Sequence, residues 1–269
     1  MKKLVTLIII ILLTLTASGQ IYIDLKQLKD MGIDINQYPP EQLLSLGIGN
    51  CDLDIIKSAI AKGADLNKQI EGAGISNFPL CSVISAASGV MLPPDYNMIA
   101  STIREGGSEV YSGRSVNDLR RDYIEIIRFL LQKGAKATVP SDFDSDNTPL
   151  LLAAKYRDIE IIKLLLDFKA DPNSRDMVGN TALHVLGLAV AVPYQYKNAP
   201  EIAKLLISKG ARVFKNADGE GGPNGATPLT LTKSQLDIIQ SPEASYWKDL
   251  PFYNELVSSF KSLIEIYSK

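Results

Sequence analysis

The sequence predicts an all-α solenoid of helix-turn-helix units, with hairpin loops between units and helical caps at the ends. Three observations carry this prediction. An acidic residue, two β-branched or apolar residues and a basic residue recur as Asp54-Ile55-Ile56-Lys57, Glu125-Ile126-Ile127-Arg128, Glu160-Ile161-Ile162-Lys163 and Glu201-Ile202-Ala203-Lys204. In each copy an alanine closes the next turn ten positions after the acid, at Ala64, Ala135, Ala170 and Ala211. A second signal, Thr before Pro or Ala and then an apolar run, stands at Thr148-Pro149-Leu150, Thr181-Ala182-Leu183 and Thr227-Pro228-Leu229. Such units bury their apolar faces only against neighbours, so the period implies a stack whose usual output is a binding surface.

The elements follow in order. Met1 to Gly19 reads as a signal peptide: Lys2 and Lys3 at the start, an apolar stretch from Leu4 to Leu15, and small residues Ala17-Ser18-Gly19 before Gln20. That stretch is shorter than the roughly 20 residues a spanning helix needs. The expectation is a soluble, exported protein, periplasmic or secreted, with no stable membrane span after cleavage. Leu25 to Met31 with Gly32-Ile33-Asp34-Ile35-Asn36 supplies only the closing half of a unit, and Pro40-Glu41-Gln42-Leu43-Leu44 opens a helix without the Thr. Phe78-Pro79-Leu80-Cys81 is a degenerate opening. Phe252 to Tyr267 has apolar residues at helical spacing and is expected to cap the last unit. The predicted organisation is a signal peptide over 1–19 and one domain over 20–269, with about five repeats between 24 and 240 and a capping helix over 252–267.

Composition sets limits on function. Hydrophobic residues make up 46% of the chain, enough for a continuous core. Without Lys2 and Lys3, 26 basic residues face 30 acidic ones, a net charge of −4. That balance argues against a nucleic-acid partner, which would call for clustered Lys and Arg. Cys51 and Cys81 fall at opposite ends of their units, too far apart for a disulfide, and are expected as two buried thiols.

Taken together, Asn147-Thr148-Pro149-Leu150-Leu151-Leu152-Ala153-Ala154 and Asn180-Thr181-Ala182-Leu183-His184 resemble the T-P-L-H-x-A signature of the ankyrin-repeat family, and Pro149 to Ala182 is the family's spacing of 33 positions. Elsewhere the spacing is longer. The excess falls between the two helices of alternate units, at about Ser88–Arg121 and Gly187–Asn198, so both insertions are expected on one edge. The resemblance implies a non-enzymatic, monomeric module that binds a protein partner, with the concave face as the usual site. Resemblance to exported bacterial ankyrin proteins further implies neutralising a toxin or supporting a periplasmic enzyme. A structural or membrane-anchored envelope scaffold is the alternative, and a hydrolase a further one.

No catalytic, cofactor or metal site emerges from the residues. His184 is the sole histidine, so any triad would depend on it; the resemblance instead gives its side chain a hydrogen bond to backbone between adjacent turns. Asp142, Asp144 and Asp146 alternate like the start of a calcium loop, but Asn147 stands where Gly is needed and Ala153 where Glu is needed. They read as an acidic hairpin tip that contacts a partner. Gly219 to Gly225 is glycine-rich but lacks the Lys and Ser/Thr of a phosphate loop. The insertions carry Tyr96, Tyr111, Tyr194 and Tyr196, a residue type that supplies large contact area at low entropic cost. These four tyrosines and three aspartates are the candidate partner-binding residues.

Overall fold

A computed structural model describes residues 34–72, 75–91, 115–138, 148–190, 195–216 and 225–269. The chain divides into two compact units between Lys136 and Ala137. The first contains α1 (Pro40–Gly49), α2 (Leu53–Ala61), a two-stranded antiparallel ladder of β1 (Ile70–Gly72) and β2 (Ile75–Asn77), α3 (Pro79–Gly89) and α4 (Val116–Gln132). The second contains α5 (Pro149–Tyr156), α6 (Ile159–Asp167), α7 (Ala182–Leu186), α8 (Ala199–Ser208), α9 (Pro228–Gln240) and α10 (Tyr253–Tyr267). The all-α expectation holds, with the short ladder confined to one hairpin finger.

Helix starts follow the local chemistry. Thr148 caps α5, its hydroxyl accepting from Leu151 N at 3.3 Å, and Pro149 occupies the first position, where no backbone N–H is needed. Asp52 caps α2 and Asp158 caps α6 in the same way. Phe78 precedes Pro79 with extended backbone and no side-chain cap, as the missing Thr implies. One boundary differs from expectation. The second-repeat insertion ends before Val116 rather than near Arg121, because Ser115 accepts from Asp118 N at 3.1 Å and starts α4 there. The Ser115 hydroxyl also donates to Asp118 at 2.7 Å and holds that carboxyl below its usual range.

Helix ends repeat one geometry. After α2, α4, α6 and α8, the closing alanine donates to the carbonyl five residues back: Ala64 to Ala59, Ala135 to Leu130, Ala170 to Leu165 and Ala211 to Leu206, at 2.9–3.0 Å. The residue before each alanine is left-handed, with φ of 95° at Gly63, 98° at Gly134 and 94° at Gly210, but the third copy places Lys169 there at 63°. Neighbouring hairpins are tied by asparagines. In the first unit Asn67 donates to Gly134 O and accepts from Lys136 N; in the second Asn173 does the same with Gly210 O and Arg212 N.

In the second unit the first helices run in a row, α7 packing on both α5 and α9. The capping helix α10 packs on α8 and α9, taking the second-helix place of the last repeat. Leu150, Leu164, Leu165, Leu183 and Leu206 are buried. Leu205, expected in the same core, is only half-buried and lies at its edge. Cys51 and Cys81 are both buried thiols, and burial pushes Cys81 up to about 12.

Candidate protein-binding groove

A groove of about 330 Å³ opens in the second unit between two first helices and a hairpin finger. Leu151 and Lys155 of α5 form one side and Val185 of α7 the other. Asp176 and Val178 of the finger stand over them, and Leu188 and Val190, the opening of the fourth-repeat insertion, complete the wall. Arg157 lies beneath.

The finger is rigid because Asp176 organises it. Its Oδ1 accepts from Val178 N at 3.0 Å and Asn180 N at 2.7 Å, and its Oδ2 accepts from Asn180 Nδ2 at 3.0 Å. Gly179, at φ 78°, donates to Asp176 O and closes the turn. The result holds Met177 and Val178, 59% and 52% exposed, side by side at the tip. The two adjacent large apolar side chains are thus presented together on one turn.

The far wall is set by Arg157. This residue is 1% exposed and left-handed at φ 55°, and its guanidinium donates to Leu188 O at 2.8 Å, Lys155 O at 2.9 Å and Leu186 O at 3.4 Å. It also lies 4.0 Å from the ring centroid of Tyr196, a cation–π contact in a desolvated setting. The Tyr196 hydroxyl accepts from Val190 N at 3.0 Å and donates to Val190 O at 2.7 Å. Together the two side chains fix the backbone from 186 to 190 against the helices.

His184 lies deeper. Its Nδ1 accepts from Thr181 N at 3.1 Å, so Nε2 carries the proton and donates to Ala226 O at 3.0 Å. Burial holds its pKa below the usual value. Both ring nitrogens are engaged with the chain's own groups, the bond to Ala226 being the inter-turn link expected of it. Among the described residues no group of three or more His, Cys, Asp or Glu is placed to hold a metal ion.

A family model described as ankyrin repeats matches residues 118–217 in three copies. Residues 118–217 carry ankyrin repeats. It is 34% identical over 127 residues to an ankyrin-repeat protein of fowlpox virus, an alignment covering 45% of this chain and 33% of that protein. A second ankyrin-repeat protein of the same virus is 37% identical over 130 residues, covering 43% and 22%. One from Acanthamoeba polyphaga mimivirus is 30% identical over 165 residues, covering 58% and 27%. The chain thus spans a third or less of the length of these curated relatives. Ankyrin repeats are generally protein–protein interaction modules without catalytic activity.

In ankyrin terms the groove lies where first helices meet a finger, and the insertion adds its wall. Tyr196, expected at the surface, is instead fully buried. Its ring stacks on Phe252 at 5.8 Å and meets Phe260 edge-on at 6.3 Å, and its backbone carbonyl accepts from Ser259 at 2.5 Å, so it anchors the insertion to α10. Tyr96, Tyr111 and Tyr194, and Asp142, Asp144 and Asp146, lie outside the described residues. Met177, Val178, Leu188 and Val190 at the groove are apolar and not among the tyrosines and aspartates expected to bind. A signal was present: two apolar residues between Asp176 and Gly179, where a hairpin tip ordinarily carries polar ones.

Proposed function

We propose that this chain is an exported, monomeric, non-enzymatic module that binds a protein partner, in the periplasm or outside the cell, over the groove and finger of its second unit. The observation that carries this reading is Met177 and Val178 held out by Asp176 above a half-exposed apolar wall. Catalysis is disfavoured because the sole histidine spends both ring nitrogens on the fold. Export rests on the pattern of Lys2, Lys3 and the apolar run to Leu15. Among the described residues no helix is long and apolar enough to cross a membrane.

Affinity capture from the native organism, run in parallel with wild type and Val178→Asp, tests the reading. A protein retained by wild type and lost by the variant supports it, whereas hydrolysis of a small substrate by the purified chain, or capture of nucleic acid, would overturn it. Mass spectrometry of the chain recovered from the periplasm or medium checks the start at Gln20. Recovery only in the membrane fraction, with Met1 to Gly19 retained, would favour the anchored scaffold.

A further inference from the structure

We propose that the groove takes a large apolar side chain flanked by a carboxylate, presented on a helix or folded loop of the partner and not on an added strand. This rests on the protein-binding reading and specifies its partner chemistry.

Size sets the first limit. An apolar cavity of about 150 Å³ holds a benzene ring, so a groove of about 330 Å³ has room for one aromatic or two aliphatic side chains. Charge sets the second. Lys155 is exposed at the lip and the Arg157 cation lies under the wall, while the one carboxylate in the lining, Asp176, is turned into its own hairpin by three N–H donors. Lys155 is thus the one exposed charge in the groove lining, and it favours an anion beside the apolar group.

Backbone chemistry excludes strand addition along the 187–190 wall. A peptide adding as a strand needs exposed N–H and C=O groups in a row. Along the wall the N–H of Gly187 goes to His184 O, Leu188 to Val185 O, Ala189 to Gln235 Oε1 and Val190 to the Tyr196 hydroxyl. The carbonyls of Leu186 and Leu188 accept from Arg157, and that of Val190 from Tyr196. Every N–H from 187 to 190 is spent inside the chain. What the wall offers a partner is side chain: Val185, Leu188 and Val190, faced by Val178. Because these groups are already fixed, little ordering is required on binding.

Panning a random peptide library displayed on phage against the full chain tests the proposal. The enriched peptides are expected to share a large apolar residue with Asp or Glu within about one helical turn. A synthetic peptide of the enriched sequence should lose more than tenfold in affinity with Val178→Asp and with Leu188→Asp. Lys155→Glu, at an exposed position, should weaken that peptide and strengthen its Asp→Lys counterpart. Circular dichroism melting of each variant separates lost binding from lost fold. Enriched peptides lacking acidic residues, or binding that survives both Val178→Asp and Lys155→Glu, would overturn the proposal while leaving a protein-binding role intact. Failure to enrich any peptide overturns it too, and the protein-binding reading then stands or falls on native capture alone.

Discussion

The third and fourth repeats of this chain start from nearly the same sequence and solve the same connections differently. In the third, two residues, Arg157 and Asp158, join α5 to α6. In the fourth, residues 187–198 intervene between α7 and α8. The short connection supports the long one, since Arg157 reaches out of the third repeat to hold carbonyls of the fourth. A single buried cation and one tyrosine thus make residues 187–190 part of the neighbouring wall.

Breaking that link should have the largest effect. Arg157→Ala is expected to destabilise the chain by about 3–5 kcal/mol, because it strands buried carbonyls and removes the partner of the Tyr196 ring. Lys204→Ala, on the exposed side of α8, should stay within about 0.5 kcal/mol. Urea titration measures both, and equal small effects would show that the insertion stands without its support.

Equivalent leucines sharpen the comparison next. Leu164 is buried in the third repeat and its counterpart Leu205 is half-buried in the fourth. Leu164→Ala should cost about 2–5 kcal/mol and Leu205→Ala clearly less in the same titration. A reversed order would mean that α8 is rotated from the position described.

Turn chemistry gives a smaller, signed pair. Lys169 adopts the left-handed conformation that glycine supplies at Gly210. Lys169→Gly should therefore raise stability by about 1 kcal/mol, while Thr148→Ala should lower it by about 1 kcal/mol through loss of the cap on α5. Thermal melts of both variants read the two signs directly.

The smallest effect is a pH dependence. Position 151 in the third repeat is Leu and its counterpart in the fourth is His184, which is kept neutral by burial. Its folded pKa lies below the unfolded value, so the unfolded chain binds more protons as pH falls through about 6.5. The contribution is fully present above that pH and is lost progressively below it. His184→Gln should flatten the slope of stability between neutral pH and the carboxylate range, as followed by melts across pH.

Much of the fold was legible because its signals are local. Thr before Pro marks a helix start and Gly before Ala marks an end, and both chemistries act within a few residues. The fourth insertion and the capping helix were legible from spacing and from apolar period. What escaped depends on long-range packing. Tyr196 looks like a surface tyrosine on a loop, and only its contacts with Phe252, Phe260 and Arg157 make it core. Arg157 carries no sequence mark, because its carbonyl partners Leu186 and Leu188 lie about 30 residues away and meet it only once α7 is in place. The groove was half legible: its position on the first helices follows from the repeat, but Val178, Val185, Leu188 and Val190 share a surface only once the finger and helices pack together.

The buried thiol in the opening turn of α3 has a consequence for redox chemistry. With burial pushing Cys81 up to about 12, almost none of it is thiolate at neutral pH, and thiolate is the form that attacks disulfides and alkylating reagents. The folded chain should therefore resist mixed-disulfide formation at this position in an oxidising buffer. Labelling of Cys81 by iodoacetamide then becomes a clock for opening of the first unit, slow in the folded state and fast once α3 separates from its neighbours.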